Sequence, residues 1–242
     1  MEAIRIEKLR KEYRDITAVD GLDLQISQGE LISLLGINGA GKTTTIKMLS
    51  CLSRPSAGNA WIMGKSIITE PEEVKAVIGI SPQETAVAPN LSVQENLALM
   101  CGVHGFDRDR TRKNVRDMTE KFGLGPILHK KARTLSGGWQ RRLSIAMALI
   151  GEPKVLFLDE PTLGLDVIAR KELWSLIQEL KSGMTILLTT HYMEEAEALS
   201  DRIAVMKAGR LIALDTAEAL KVQTGMATFE DAFIQLVKGG RA

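Results

Sequence analysis

No apolar run in the sequence approaches the ~20 residues that a membrane-spanning helix needs, and the charged opening MEAIRIEKLRKEYRD lacks the apolar core of a signal peptide. A chain made and kept in the cytosol is therefore expected. Cysteine is scarce: Cys51 and Cys101 lie far apart, with no C-x-x-C or Cys/His spacing. That argues against a disulfide framework or a structural metal and for two small buried residues in a reducing compartment. Excess charge is missing too, since 31 basic residues face 30 acidic ones for a net charge of +1. Duplex nucleic acid demands a basic footprint, so no nucleic-acid partner is expected, and any membrane attachment has to come through another protein rather than a polybasic surface. There is neither an internal repeat nor a low-complexity segment. What the chain does have is 45% apolar content over 242 residues, enough for one large α/β core or a core with an inserted sub-domain.

The stretch Leu31–Leu52 reads LISLLGINGAGKTTTIKMLSCL: an apolar strand, a glycine-rich turn, then a helical pattern. Gly36 to Thr43 matches G-x-x-x-x-G-K-[ST], and phosphate explains that spacing. Gly36, Gly39 and Gly41 can take backbone angles that point the N–H groups of a loop running through Asn38 and Ala40 into one concavity, and the following helix adds its N-terminal partial positive charge. Lys42 is expected on the β- and γ-phosphates of a nucleotide. Thr43 is expected to offer its hydroxyl to a magnesium ion, with Thr44 and Thr45 in the first turn.

Around this loop the chain reads in order. Ile4 to Ile26 alternate as antiparallel strands, with Asp20-Gly21 as a turn between them. Tyr13, in the polar run KEYRD, is either an edge-strand residue or a platform for a flat ligand such as adenine. Strands follow at Ala60–Met63 and Val77–Ser81. Gln83 comes just after the second, where open α/β sheets place ligand groups, although a surface glutamine is the ordinary alternative. From Glu84 the texture becomes helical, with a capping box at Ser92-Val93-Gln94-Glu95 and a charged, solvated helix over 107–122. His104 and His129 read as surface residues. Leu135-Ser136-Gly137-Gly138 introduces a further helix, either as a serine N-cap with two flexible glycines or as a second anion site at a helix N-terminus.

Val155–Leu158 is a buried parallel-type strand that ends in Asp159-Glu160. Two adjacent carboxylates at such a place are costly unless something cationic or polar meets them. Asp159 suits a magnesium shell and Glu160 suits polarisation of an attacking water. A loop to Asp166, a helix to Leu180 and a strand ending at Thr190 lead to His191, which either caps the strand end or donates to a γ-phosphate. A hairpin over 203–214 and one amphipathic tail helix, opened by Thr228 and Asp231, complete the chain.

In this order, the phosphate loop, the glutamine after a strand, LSGG before a helix, the Asp-Glu strand, the Leu-Asp loop and the later histidine resemble the ATP-binding cassette ATPases over essentially the whole chain. LSGG discriminates, because the other motifs recur in unrelated nucleotide hydrolases. The resemblance implies an α/β fold: a P-loop NTPase core with a parallel sheet, an N-terminal antiparallel β sub-domain and an inserted helical sub-domain. It implies one ATPase domain, with antiparallel β and P-loop core over 1–83, helical sub-domain over 84–150, the rest of the core over 151–214 and a helical tail over 215–242. ATP and Mg2+ are the implied ligands. Lys42, Thr43 and Thr44 would line phosphates and metal, Gln83 would sense the γ-phosphate and the magnesium, Glu160 would activate water, His191 would clamp the γ-phosphate, and Tyr13 would stack on adenine.

The family further implies that Ser136, Gly137 and Gly138 serve the ATP held by a second subunit, with Asp166 across that interface, in a head-to-tail dimer. A separate integral membrane permease would hold the assembly on the cytoplasmic face of the membrane. Trp139 and Leu163-Gly164-Leu165-Asp166 depart from the commonest pattern and are similar to the drug- and lipid-exporter branch, as is the ending FEDAFIQLV. Export is the expected direction. The competing classes are a soluble cassette ATPase of DNA repair or translation, which usually announces itself by a coiled-coil insertion, a duplicated cassette or a basic arm, and a nucleotide-regulated binding module, which needs no water-activating Glu160 and His191.

Overall fold

The computed structural model describes residues 1–239. Strands β1 (Glu2–Tyr13), β2 (Ile16–Ser27) and β3 (Leu31–Leu35) lead through the glycine loop into α1 (Lys42–Leu49). Next come β4 (Ala57–Ile62), β5 (Lys65–Ser66), α2 (Pro71–Val77) and β6 (Ile78–Ser81). Helices α3 (Val93–Val103), α4 (Arg108–Lys121) and α5 (Gly137–Leu149) precede β7 (Val155–Asp159), α6 (Val167–Lys181) and β8 (Thr185–Thr190). The chain finishes with α7 (Met193–Leu199), β9 (Arg202–Lys207), β10 (Arg210–Asp215), α8 (Ala217–Thr224) and α9 (Phe229–Gly239).

The strands form two sheets, an antiparallel one in the order β2-β1-β4-β5 and a six-stranded one in the order β10-β9-β3-β8-β7-β6, parallel except at β10. Alternation along the central strands sorts their side chains into two cores. Val155, Phe157 and Leu187 face the antiparallel sheet and α1, sharing a cluster with Ile4, Ile6, Leu24 and Ile46. Leu156, Leu158, Ile186 and Leu188 face the helical side and pack with Leu97, Leu143 and Ile177. Burial on both faces explains why these strands are continuous apolar runs.

The parallel order has a direct consequence for function. β3, β8, β7 and β6 are consecutive neighbours, so everything that follows their C-terminal ends converges on one edge of the sheet. Those followers are the glycine loop, His191, Glu160 and Gln83.

Three expectations need correction. The hairpin between β1 and β2 turns at Arg14-Asp15, not at Asp20-Gly21. Gly21, with φ 66°, lies inside β2 at a bulge between the pairs Leu9–Leu22 and Lys11–Val19, where a left-handed residue is accommodated without breaking the ladder. Residues 84–91 form a loop rather than helix. The segment after β10 holds two helices instead of one, because α8 buries only Leu220 and so shows little periodicity. Elsewhere the local chemistry acts as read: Ser92 and Glu95 form a reciprocal capping box on α3, and Asp231 N–H donates to the Thr228 hydroxyl at the start of α9. Cys51 and Cys101 are free thiols, with Cys101 buried. Among the described residues, no helix is long and apolar enough to cross a membrane.

Candidate functional site

The glycine loop is held open by its own packing. Gly41 sits at the N-cap of α1 with φ 99°, and a Cβ there would lie 2.4 Å from the Ala18 carbonyl oxygen. A Cβ on Gly36 would meet the Met206 carbonyl oxygen at 2.6 Å and the Ala40 side chain at 2.8 Å. Only glycine brings the backbone this close to β2 and β9. The loop borders a cavity of about 560 Å³, lined by Ile16, Thr17, Ala18, Asn38, Gly39, Ala40, Gly41, Lys42, Thr43, Thr44, Gln83, Glu160, Leu163 and His191. Its volume is in the range of small-molecule and cofactor sites.

Lys42 is 5% exposed. Its Nζ donates to the Gly36 carbonyl at 2.7 Å and lies 3.7 Å from Glu160 Oε1. Burial pushes the Lys42 ammonium below its ordinary range, against the pull of Glu160 and Asp159. A buried cation held by backbone carbonyls and a carboxylate at the mouth of an N–H-lined loop suits a polyanion. Next to it, the Thr43 hydroxyl donates to Asp159 Oδ1 at 3.1 Å. The Thr43 hydroxyl and the Asp159 carboxylate are hard oxygen donors of the kind magnesium takes, and Gln83 lines the same cavity as Thr43.

Glu160 follows β7 with φ 48°, an uncommon backbone for a non-glycine residue and of a kind that clusters at functional sites. Thr189 holds it there, since the Glu160 N–H donates to both the Thr189 carbonyl (3.1 Å) and the Thr189 hydroxyl (3.0 Å). The same hydroxyl donates to Asp159 Oδ1. The turned backbone aims the Glu160 carboxylate at the cavity, where Oε2 lies 3.0 Å from His191 Nδ1 and Oε1 faces Lys42. Glu160 is thereby held between His191 and Lys42 in a wall that also holds Thr43, with Asp159 buried behind Thr43.

Three sequence-predicted groups lie elsewhere. Tyr13 is 45% exposed and outside the cavity wall, with Lys11 Nζ 4.9 Å from its ring centroid. Its register partner Ile16 lines the cavity instead, which puts Tyr13 one strand away. Ser136 and Gly137 are exposed at the start of α5, away from this cavity, and the Ser136 side chain makes no capping hydrogen bond. Asp166 caps α6, accepting from the Ile168 and Ala169 N–H groups at 2.9 Å.

Several contributors escaped the motif reading. Thr189 is one. Glu195 is another, buried behind the site with Oε1 accepting from Trp174 Nε1 at 3.0 Å, its carboxyl pushed up by burial. Arg141, buried on α5, donates to the Pro82 and Gln83 carbonyls. All three sit in stretches where sequence pattern signals only core or surface.

A glycine-rich loop opening a helix, with a buried lysine, a carboxylate pair and a histidine, defines a nucleoside triphosphate hydrolase site on a P-loop α/β core. The chain belongs to the ABC transporter family, whose model matches residues 19–163. It is 44% identical over 224 residues to the daunorubicin resistance ATP-binding protein DrrA3 of Streptomyces coeruleorubidus, covering 92% of this chain and 71% of that one. It is 41% identical over 238 residues to the doxorubicin resistance ATP-binding protein DrrA of Mycobacterium tuberculosis, covering 97% and 70%. Among solved structures, the ATP-binding subunit of an ABC transporter superposes with a TM-score of 0.86 at 27% identity, covering 97% of this chain and 99% of that one. A dimeric ATP-binding cassette in a post-hydrolysis state, bound to ADP and Pi, gives 0.79 at 26% identity, covering 88% and 98%. This chain is an ATP-binding, ATP-hydrolysing subunit of an ABC transporter.

Proposed function

We propose that the chain is the cytoplasmic motor of an exporter, working as a homodimer that closes over two Mg2+-ATP and acts through a separate membrane permease. The observation that carries this is Glu160, a nearly buried carboxylate in a left-handed backbone, held between His191 and Lys42 at the wall of the cavity. A pure binding module has no use for that arrangement. In this reading Glu160 orients and activates the attacking water, His191 and Lys42 hold the γ-phosphate, and Gly36 to Thr44 cradle the phosphate chain. Thr43, Asp159 and Gln83 hold magnesium, which supplies neutralisation of charge on the phosphate oxygens.

Dimerisation is supported by the apolar residues left exposed around the cavity: Ile16, Ile37 and Leu163, with Val167 and Ile168 just beyond Asp166. Exposed apolar side chains at a cavity's edge, as Ile16 and Leu163 are, suit an interaction surface. The uncapped start of α5 at Ser136 to Gly138 supplies free N–H groups for a second subunit's nucleotide. Tyr13, close to the mouth through Ile16, serves the adenine.

Export is supported by the names of the relatives. Besides the two resistance proteins, the human phospholipid-transporting ATPase ABCA3 is 42% identical over 226 residues, which span 92% of this chain and 13% of that protein. Anthracyclines and phospholipids are both amphiphiles, so an amphiphile is the proposed cargo class. The test is ATP-dependent accumulation of doxorubicin or a labelled phospholipid in inverted vesicles from cells that express the chain together with its membrane permease. Accumulation above a Glu160→Gln control is expected. Equal accumulation in the control would overturn the motor reading.

A further inference from the structure

Helix α5 lies on β6 in a head-to-tail alignment that three contacts record. Near the start of β6, a Cβ on Gly79 would sit 2.3 Å from the Ala148 carbonyl oxygen, so the helix backbone nearly touches the strand. Two residues on, the Ser81 and Ser144 hydroxyls are 2.8 Å apart. At the strand's end, Arg141 Nη1 donates to the Pro82 carbonyl at 2.6 Å and Nη2 to the Gln83 carbonyl at 2.7 Å. As the chain climbs from Gly79 through the end of β6 to Gln83, the helix descends from Ala148 to Arg141. The last rung therefore joins the residue that lines the nucleotide cavity to the first turns of the helix that opens at Ser136.

That rung is unlike the other two. Arg141 is 4% exposed, yet its guanidinium faces two neutral carbonyls rather than a bonded carboxylate. The charge is balanced at longer range by Asp159, Glu160 and Glu195, against the cost of its burial. A planar fork with two parallel donors fixes two successive carbonyls in a way that a single point charge cannot. Each bond goes to a backbone oxygen, so the Gln83 side chain stays free to reach into the cavity while its backbone is fixed.

We propose that Arg141 is a positioning residue for ATP hydrolysis: its fork sets where Gln83 stands at the cavity wall and locks that position to the start of α5. The proposal rests on the reading that Gln83 serves the magnesium and γ-phosphate. It goes beyond that reading by giving Gln83 a fixed support, and by making the loop that lines one nucleotide and the Ser136–Gly138 segment a single mechanical unit.

The test uses the full chain as Arg141→Lys, Gln83→Ala and the double variant, with Ser144→Ala as a control that removes the neighbouring rung only. Turnover, ATP affinity and the Mg2+ concentration for half-maximal turnover are measured for each. Arg141→Lys keeps the charge and loses the fork. It is expected to lower turnover about 10- to 100-fold, as a displacement of about 1 Å at a catalytic group does, and to raise the Mg2+ requirement without changing ATP affinity. The double variant should be no worse than the worse single, because residues acting through one another are not additive. Ser144→Ala should lower the melting temperature and keep wild-type turnover. Arg141→Gln, which strands no buried cation, replaces Arg141→Lys if the latter fails to fold, with the same expectation.

Wild-type turnover and Mg2+ dependence in the Arg141 variant beside an impaired Gln83→Ala would overturn the proposal alone. So would a double variant whose loss is the product of the singles, or a Ser144→Ala as slow as Arg141→Lys. Wild-type turnover in Gln83→Ala would bring down the reading of Gln83 and the proposal with it.

Discussion

Replacing Lys42 by methionine keeps the length and apolar stem of the side chain and removes its charge. In the nucleotide-free protein the loss is modest. The Gly36 carbonyl gives up a hydrogen bond, about 1 kcal/mol, and Glu160 loses the ammonium beside its Oε1 but keeps His191, while a buried ammonium that the fold itself disfavours also disappears. The nucleotide complex is affected far more. A lysine about 4 Å from a phosphate charge, at an effective dielectric constant of about 20, is worth about 4 kcal/mol before desolvation is subtracted, and about 2–3 kcal/mol after it, or roughly 30- to 150-fold in affinity. Thermal denaturation converts this into a readable quantity. ATP at about 100 times the wild-type Kd stabilises the native state by about 2.7 kcal/mol, and a 100-fold weaker Kd leaves about 0.4 kcal/mol. For a domain of this size the ATP-induced rise in melting temperature should fall from roughly 5–10 °C to about 1–2 °C. The melting temperature without ATP should stay within about 2–4 °C, the span of 1 kcal/mol. An undiminished ATP-induced rise in Lys42→Met would refute the assignment of Lys42 to the phosphates.

Other perturbations probe separate parts of the account. Gly41→Ala forces a Cβ to within 2.4 Å of the Ala18 carbonyl at a φ of 99°, so denaturation should show a loss of about 1–3 kcal/mol or more, together with loss of ATP binding. Gly39→Ala, where nothing lies within 4 Å, should cost only about 1 kcal/mol of backbone strain. Burial pushes the Glu195 carboxyl above its ordinary 4.5, against the hydrogen bonds it receives. Its contribution to stability is therefore fully present below that value and is lost as pH rises toward the folded pKa. Melting temperatures measured against pH should show Glu195→Gln losing less stability than wild type over that rise, and parallel profiles would contradict the burial argument. Ser136→Arg should leave ATP binding to the isolated subunit intact by calorimetry while abolishing ATP-dependent dimerisation and hydrolysis.

How much of this was legible in the sequence depends on the chemistry at each position. The glycine loop could be read because phosphate binding and close packing against Ala18 and Met206 both require glycine, and the signal is carried by residue type. Asp159 and Glu160 could be read because carboxylates ending an apolar strand need a reason. Arg141 could not: an arginine on a helix that also carries Gln140 and Arg142 reads as a solvated face, and only the descent of α5 along β6 turns it inward. Thr189 is hidden in a β-branched strand where any threonine is unremarked. α2 and α8 each bury a single residue, Val74 and Leu220, and so leave no periodic trace. Asp20-Gly21 misleads because a bulge and a hairpin turn ask for the same left-handed glycine. Tyr13 shows a different limit: its residue type suits a base platform, but its position beside the cavity-lining Ile16 rather than in the wall comes from the β1–β2 register, which sequence pattern does not specify at a polar strand end.

The central claim, that Glu160 activates water within an ATP sandwich of two subunits, is tested most directly by Glu160→Gln. Glutamine keeps the size of the side chain and its reach to His191, while the carboxylate beside Lys42 is lost. Losing a general base typically costs about 10²- to 10⁴-fold in rate, and the phosphate loop and the metal ligands remain in place. Size-exclusion chromatography of the variant should show a dimer in Mg2+-ATP and a monomer without nucleotide, with turnover reduced by that factor. Wild-type turnover, or an inactive variant that stays monomeric in saturating Mg2+-ATP, would contradict the account.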